Sequence, residues 1–493
     1  MSKNICFIYV SFSCLFIGLL TCCTRKTAML TTFAGNKKQR MAASFLADQV
    51  DQYYGVSVSY TNEDGNNLNS TINNYLGDND IVDSLNAYAV RDTFWDSKDL
   101  KTGYLINNIA LAFSHYKENP LSISVPDSIF YEYILPYRVG YEILSDWRSY
   151  FNAIYMNYLS TFDTEKIDEK FIVDMVHHIQ QLSYHVLDRT GLAKYPFPAD
   201  HSLQDIREVG RPYSCEDYAL FKLYSFRSIG LAAAYETVPL YGKFNFGHSE
   251  TALWHRDGKF HCTEGKTQMP YKYYIAKMYR RRFSPRTSPF QQIVKAGENA
   301  DNIPSYFDMP YYDDITDERT LVSDININPQ NDFDRKNLSG SGVAYLCVYN
   351  DGEWKPVEWA RRDRYRIWKF RNMGRKIIYH LAIYNEGLQE LVGAPLILDT
   401  VGNVIQLQSV LKDGLSDVRI EKFDRNSRMN DGLYELFYWE EGLKKWISKE
   451  QFNATEKGVI LSLAKNTLYK IEPMYAHSSP RPFSIENNEQ IWW

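Results

Sequence analysis

The hydrophobic period of this chain changes near Asp301, and the change separates two kinds of structure. Upstream, apolar residues recur at helical spacing. Ala43, Phe45, Leu46, Val50 and Tyr54 form one stripe over residues 41–54, and Ile167, Phe171, Met175, Ile179 and Leu182 form another over 164–187. A turn-rich, Asn-rich stretch at 62–80 lies between them, and helical patterns dominate to about Thr190. Downstream, short alternating runs take over at 344–349, 354–359, 365–370, 376–384 and 395–398, with Asp351-Gly352 and Gly402-Asn403 as turns. A second set starts near Val418 and includes 434–439 and 458–463. Alternation puts every second side chain on one face, and runs this short bury that face by pairing and stacking. The expected class is α+β. It comprises a mainly helical region at 23–135, an α+β core at 136–300, an antiparallel β-sandwich-like domain at 301–410 and a C-terminal β-domain at 411–493.

Composition narrows the function classes. The 44% hydrophobic content suits buried cores rather than disorder, and a formal charge of −5 gives no reason to expect a nucleic-acid partner. The 38 tyrosines either stack on sugars or peptides or are spread through the strands. At the N-terminus, Lys3 precedes an apolar run at 6–20 that is too short for a comfortable membrane span. The run ends Leu19-Leu20-Thr21-Cys22-Cys23, which resembles a bacterial lipobox with Cys22 as the lipidated residue. Residues 1–22 then read as a lipoprotein signal peptide and the partner is a membrane, reached through the lipid anchor. Plain secretion or an uncleaved anchor are the alternatives. Thr24-Arg25-Lys26-Thr27 lacks an acidic run, which favours the periplasmic face of the outer membrane over the cell surface.

Of seven cysteines, Cys6 and Cys14 belong to the signal and Cys22 or Cys23 takes lipid. Cys215, Cys262 and Cys347 remain, an odd number without framework spacing. Cys262 and Cys347 lie in strand-like runs and read as core. No CxxC or HExxH motif occurs, so neither a metal site nor a cofactor is expected. His177, His178 and His185 read as half-exposed helix histidines.

The segment around Cys215 concentrates the chemistry. Ser214 and Asp217 form a capping box ahead of an apolar run that ends at Gly230, which places Cys215 at the first helical position, with Arg227 in the last turn. Helix N-terminal N–H groups favour a thiolate and can hold an oxyanion, while Glu216 and Asp217 oppose a second negative charge. Gly247-His248 then opens an alternating strand over 248–255, Asp257-Gly258 marks a hairpin, and the return strand carries Glu264. His248 would serve as base and then acid, with Glu264 orienting its ring. A strict two-residue turn pairs Thr251 with Glu264 and sends that acid to the face opposite His248. A three-residue turn or a bulge brings both to one face.

These residues resemble the transglutaminase-like superfamily. The likeness runs through Cys215, Leu223, Phe226-Arg227-Ser228-Ile229-Gly230-Leu231, Gly247-His248-Ser249, Asp257-Gly258-Lys259 and Glu264. Tyr133-Ile134-Leu135-Pro136-Tyr137-Arg138, Glu142, Asp146-Trp147-Arg148, Lys277-Met278-Tyr279-Arg280, Asp314-Ile315-Thr316 and Gln490-Ile491-Trp492-Trp493 extend it to Bacteroidetes-type multidomain lipoproteins. The resemblance implies a papain-like core with Cys215 as nucleophile, His248 as base and Glu264 as third member, and Tyr213, just before the cysteine, is a candidate oxyanion neighbour. The sequence departs from the pattern in having Glu rather than Asp as the acid, no Trp directly after His248, and Pro-Tyr-Ser before the cysteine. The implied chemistry is amide or isopeptide acyl transfer or hydrolysis on a peptide, protein or glycan-linked amide, without a cofactor. The rival is an inactive core that binds glycan or peptide, with Tyr273, Tyr274, Lys277, Tyr279 and Arg280, Arg281 and Arg282 lining a groove or a domain interface.

Overall fold

The computed structural model describes residues 24–62, 88–118, 125–159, 177, 215–263, 271–328, 342–407, 414–475 and 479–493. The architecture is α+β with β-sandwich-like parts. The chain divides into two units that alternate along the sequence. The first is Met1–Glu236, Ser249–Glu264 and Arg281–Ser284, and the second is Thr237–His248, Gly265–Arg280 and Pro285–Trp493.

In the first unit, α1 (Lys37–Gln49) is capped by Asn36, whose side chain accepts from the Gln39 N–H at 3.2 Å, and buries Ala42, Ala43, Leu46 and Ala47. The helix expected over 41–54 therefore starts earlier and stops sooner. Tyr54 instead opens β1 (Tyr54–Thr61), which pairs antiparallel with β2 (Tyr88–Trp95) from Tyr54↔Trp95 to Thr61↔Tyr88. The β-branched alternation after Gly55 wins over the helical stripe because β2 supplies a partner. Then come α2 (Thr102–Glu118), α3 (Asp127–Tyr133), α4 (Trp147–Leu159) and α5 (Cys215–Ser228). Strands β3 (Ala233–Val238), β4 (His248–Trp254) and β5 (Phe260–Cys262) follow, with β4 between β3 and β5, although Thr237, Val238 and His248 belong to the second unit. The helix expected at 164–187 lies outside the described residues apart from His177, which is helical.

The loop between α3 and α4 carries a buried polar network. Arg138 pairs with Asp96 at 2.8 Å and donates to the carbonyls of Tyr54 and Gly140, and Tyr137 donates to Asp96 at 2.7 Å. Glu142 accepts the N–H groups of Val139 and Gly140 and the Tyr224 hydroxyl. Burial would raise the Glu142 pKa, but Arg138 and these donors outweigh it and hold the carboxyl below its ordinary value. Arg148 donates to Asn108 at 2.9 Å and to the carbonyls of Ile134 and Arg227, and the Trp147 indole donates to Tyr137 O. The conspicuous 133–148 segment is thus a scaffold that ties α5 to the helices before it.

The second unit begins its sheet structure with β6 (Tyr279–Arg281, whose last residue belongs to the first unit) and its neighbour β7 (Tyr312–Asp314). After α6 (Pro289–Lys295), held by a Ser288–Gln291 capping box, it is almost all antiparallel β. Strand β8 (Val322–Ile327) pairs with β11 (Trp368–Gly374). The other strands here are β9 (Val343–Asn350), β10 (Glu353–Arg361), β12 (Ile377–Asn385), β13 (Leu388–Leu398) and β14 (Val404–Gln406), in one sheet ordered β10-β9-β12-β13-β14. Alternation along β9 splits its side chains between two cores. Ala344, Leu346 and Val348 pack with Ile325, Trp368 and Phe370, while Cys347 and Tyr349 pack with Trp439, Leu468 and Trp493.

The C-terminal part, from Ser416 onward, repeats the pattern. Strand β15 (Ser416–Ile420) pairs with β20 (Val459–Leu463), and β16 (Lys422–Asp424) with β17 (Ser427–Arg428). The remaining strands, β18 (Gly432–Glu440), β19 (Lys445–Ala454), β21 (Tyr469–Pro473), β22 (Phe483–Glu486) and β23 (Glu489–Trp492), form a sheet ordered β19-β18-β21-β22-β23. Its core joins Val418, Leu436, Leu461, Ile471 and Phe483. Tyr345, Tyr349, Tyr379, Tyr434 and Tyr469 are buried, so much of the tyrosine is core rather than surface.

Candidate active site

Cys215 is the first residue of α5, half-buried and in no disulfide. The helix is fixed laterally by the odd positions of β4: Thr251 donates to Ala219 O at 2.6 Å, and Ser249 shares a 2.6 Å hydrogen bond with the Tyr235 hydroxyl. That hydroxyl also lies 3.2 Å from Glu216 Oε1, which draws the carboxylate beside Cys215 toward β3. At the far end, Arg227 is buried and donates to Ala233 O at 2.9 and 3.0 Å, and burial pushes its pKa down to about 10. Arg227 therefore anchors the strand that follows rather than sitting exposed at the helix terminus. Gly230 makes the turn with φ of 83°, where a Cβ would lie 2.7 Å from Tyr116 Cα.

His248 opens β4 and belongs to the second unit, whereas Cys215 belongs to the first. The His248 carbonyl accepts from Thr237 Oγ1 at 3.1 Å, and its ring neighbours are Tyr241 and Tyr271, with centroids 6.3 and 6.2 Å away. Gly247 cannot carry a side chain, because its Cβ would stand 2.5 Å from the carbonyl oxygens of Val238 and Pro239.

The loop leading to His248 is clamped from the β-rich part of its unit. Buried Asn350 accepts the Phe246 N–H at 2.9 Å and donates to the carbonyls of Tyr241, Phe244 and Phe246. Arg481 donates to the carbonyls of Gly242, Tyr349 and Trp493, and Arg425 stacks on Phe244 at 4.2 Å and donates to Lys243 O. Lys243 donates to Trp492 O and lies 5.0 Å over the Trp493 ring. Burial, then Lys376, Arg425 and Arg481, push its pKa down to about 7. Phe246 is held at φ of 61°, a backbone cost on the order of 1 kcal/mol for a bulky residue.

The hairpin resolves the register question. His255 and Lys259 close it, with His255 N donating to Lys259 O at 2.8 Å, so the turn is Arg256-Asp257-Gly258, three residues rather than two. Pairing then runs Trp254↔Phe260, Leu253↔His261 and Ala252↔Cys262, and Thr263 N donates to Thr251 O. Even positions share one face, so His248, Glu250, Ala252 and Trp254 alternate together with Phe260 and Cys262. The return strand through Thr263 thus has the register of a three-residue turn. Glu264 itself, Tyr213, Ser214 and Cys22 lie outside the described residues.

Sequence reasoning missed Glu250. It is fully buried two residues after His248, and the Cys262 thiol donates to it. The signal was available, since an acid at i+2 on a half-buried strand shares its face with residue i. Cys262 is accordingly a half-buried thiol with a carboxylate partner, whereas Cys347 is the core residue expected, its thiol pushed far up by burial. The basic, aromatic stretch is committed to structure. Lys277 is buried between Asp314 at 2.8 Å and Glu358 at 2.5 Å, Tyr279 is buried, Arg280 pairs with Glu318, and Arg282 pairs with Glu132. Burial disfavours the Lys277 charge, but Glu358 and Asp314 outweigh it and raise its pKa.

Among the described residues no cluster of His, Cys, Asp and Glu could hold a metal, and no helix is long and apolar enough to cross a membrane. Comparison with protein-family models found no match, and neither did comparison with curated proteins or with solved structures.

Proposed function

We propose that the chain is a thiol-dependent acyl-transfer enzyme whose core, α5 with β3 to β5, is papain/transglutaminase-like. The observation that carries this reading is Cys215 as the half-exposed first residue of a 14-residue helix, outside any disulfide. The N–H groups and dipole of a helix's first turn stabilise an anion there, first the thiolate and then the oxyanion of a tetrahedral intermediate. The base is His248, by its place after Cys215 in the chain and by the resemblance of the surrounding residues.

In the proposed reaction the thiolate adds to an amide or isopeptide carbonyl. The intermediate collapses with cleavage of the C–N bond, and the His248 imidazolium gives its proton to the departing amine. Water then loses a proton to His248 as it attacks the thioester, the C–S bond breaks, and acid and thiolate are released. An amine in place of water would give transfer. The three-residue hairpin turn supports Glu264 as the residue that orients His248. Cys22 is proposed to carry the lipid that anchors the chain in the cell envelope, which loss of palmitate labelling in Cys22→Ala would support.

The test is the rate of Cys215 alkylation by iodoacetamide against pH, in chain lacking residues 1–22, with His248→Ala beside it. Fast labelling with an apparent pKa well below about 8.5, abolished in His248→Ala, is the expected result. Slow labelling indifferent to His248 overturns the proposal in favour of a binding module.

A further inference from the structure

Phe246 combines three properties that structural economy does not explain. Its side chain is 67% exposed, although most of the described phenylalanines are buried. Its backbone has φ of 61°, a region in which Gly or Asn is at ease and a bulky residue is strained. Both its N–H and its carbonyl are engaged by one buried side chain, Asn350, so the strained conformation is enforced. No ring contact to Phe246 occurs among the described residues. Strain that the surroundings impose on an exposed residue is the pattern of a functional position.

The position follows from the chain. Phe246 is two residues before His248, and at Gly247 between them the Val238 and Pro239 carbonyls leave no room for a side chain. Tyr241 and Tyr271 border the His248 ring. The polar side chains nearby are already engaged inside the unit. Asn245 donates to Ser479 O and accepts from Asp351 N, while Asn350, Arg425 and Arg481 are committed to loop carbonyls. What Phe246 itself offers a ligand is an exposed apolar ring two residues from His248, which suits a hydrocarbon side chain.

We infer that Phe246 contacts the substrate and selects a peptidyl acyl group with a large apolar side chain next to the reacting carbonyl. This rests on His248 acting in the proposed reaction.

The test uses chain lacking residues 1–22 and two chloromethyl ketones, N-acetyl-phenylalanyl and N-acetyl-glycyl, with iodoacetamide as a reference without a side chain. Each ketone alkylates Cys215 by forming a C–S bond and releasing chloride. The phenylalanyl reagent should react about tenfold faster than the glycyl one. Phe246→Asn should bring the ratio near one while raising Tm by about 2 °C, because the left-handed strain is relieved. A wild-type ratio near one, a ratio that survives in Phe246→Asn, or a fall in Tm in that variant each overturns the inference. Slow, His248-independent labelling by iodoacetamide overturns the proposed reaction itself, and the inference with it, so the two failures are distinguishable.

Discussion

Arg138 in the first unit and Arg481 in the second are both buried guanidiniums that hold a loop, but they are neutralised differently. Arg138 meets carboxylates. Asp96 lies 2.8 Å away, and burial, which would lower its pKa, is outweighed by Glu142 and Asp96, so the pKa is raised. Arg481 meets carbonyls and the Tyr349 ring, and burial pushes its pKa down to about 9. Lys243 and Arg425 share its surroundings and add like charge. The first unit is held by compensated charge. The loop before His248 is held by hydrogen bonds to carbonyls, and Tyr349 and Asp424 only partly offset the burial of the Arg481 charge.

The comparison can be broken most easily at Arg138. Arg138→Met leaves Asp96 and Glu142 buried without their cation, and denaturant unfolding should show a loss of about 4 kcal/mol. A loss below about 1 kcal/mol would mean that the carboxylates are not charged in the fold. Arg481→Met should cost less, about 2 kcal/mol, because the lost hydrogen bonds are offset by relief of repulsion. If it cost more than Arg138→Met, the carbonyl clamp would be the stronger of the two. The smallest effect is read per pH unit. Lys243 keeps its proton up to about 10.5 in the unfolded chain but only to about 7 in the folded one. Between those values the unfolded state binds more protons, so stability rises with pH by about 1.4 kcal/mol per unit from this group. Lys243→Met should remove that slope from a pH series of urea titrations.

Legibility in the sequence followed the range of the interactions. Strands at 344–349, 354–359 and 376–384 were readable within two residues of β9, β10 and β12, because a two-residue period is set locally. Strand β13 was read only at 395–398. Its first half, with Glu390 and Gly393, lacks alternation and pairs through a register shift opposite Tyr379 and Leu381. Strands β1 and β2 were missed because Ser57 and Ser59 dilute the pattern and the partner is distant. At the site, Cys215 and His248 could be picked out by residue type and order. The three-residue turn could not, since Asp257-Gly258 suits either length and the His255–Lys259 bond decides it. Nor could the Phe246 clamp, whose partner Asn350 lies 104 positions away.

The clamp also has a consequence in time. Residues 239–247 are held by Tyr274 and, from much further along the chain, by Asn350, Arg425, Arg481 and the Trp492–Trp493 pair. A ribosome that has released the whole of α5 and β4 has therefore produced a His248 loop without its distant partners. The outer face of β9, Cys347 and Tyr349, waits for the same late residues. Folding of the second unit is thus completed after synthesis of residues 481–493, and a nascent chain stalled before them lacks the Arg481 and Trp493 contacts of the loop before His248.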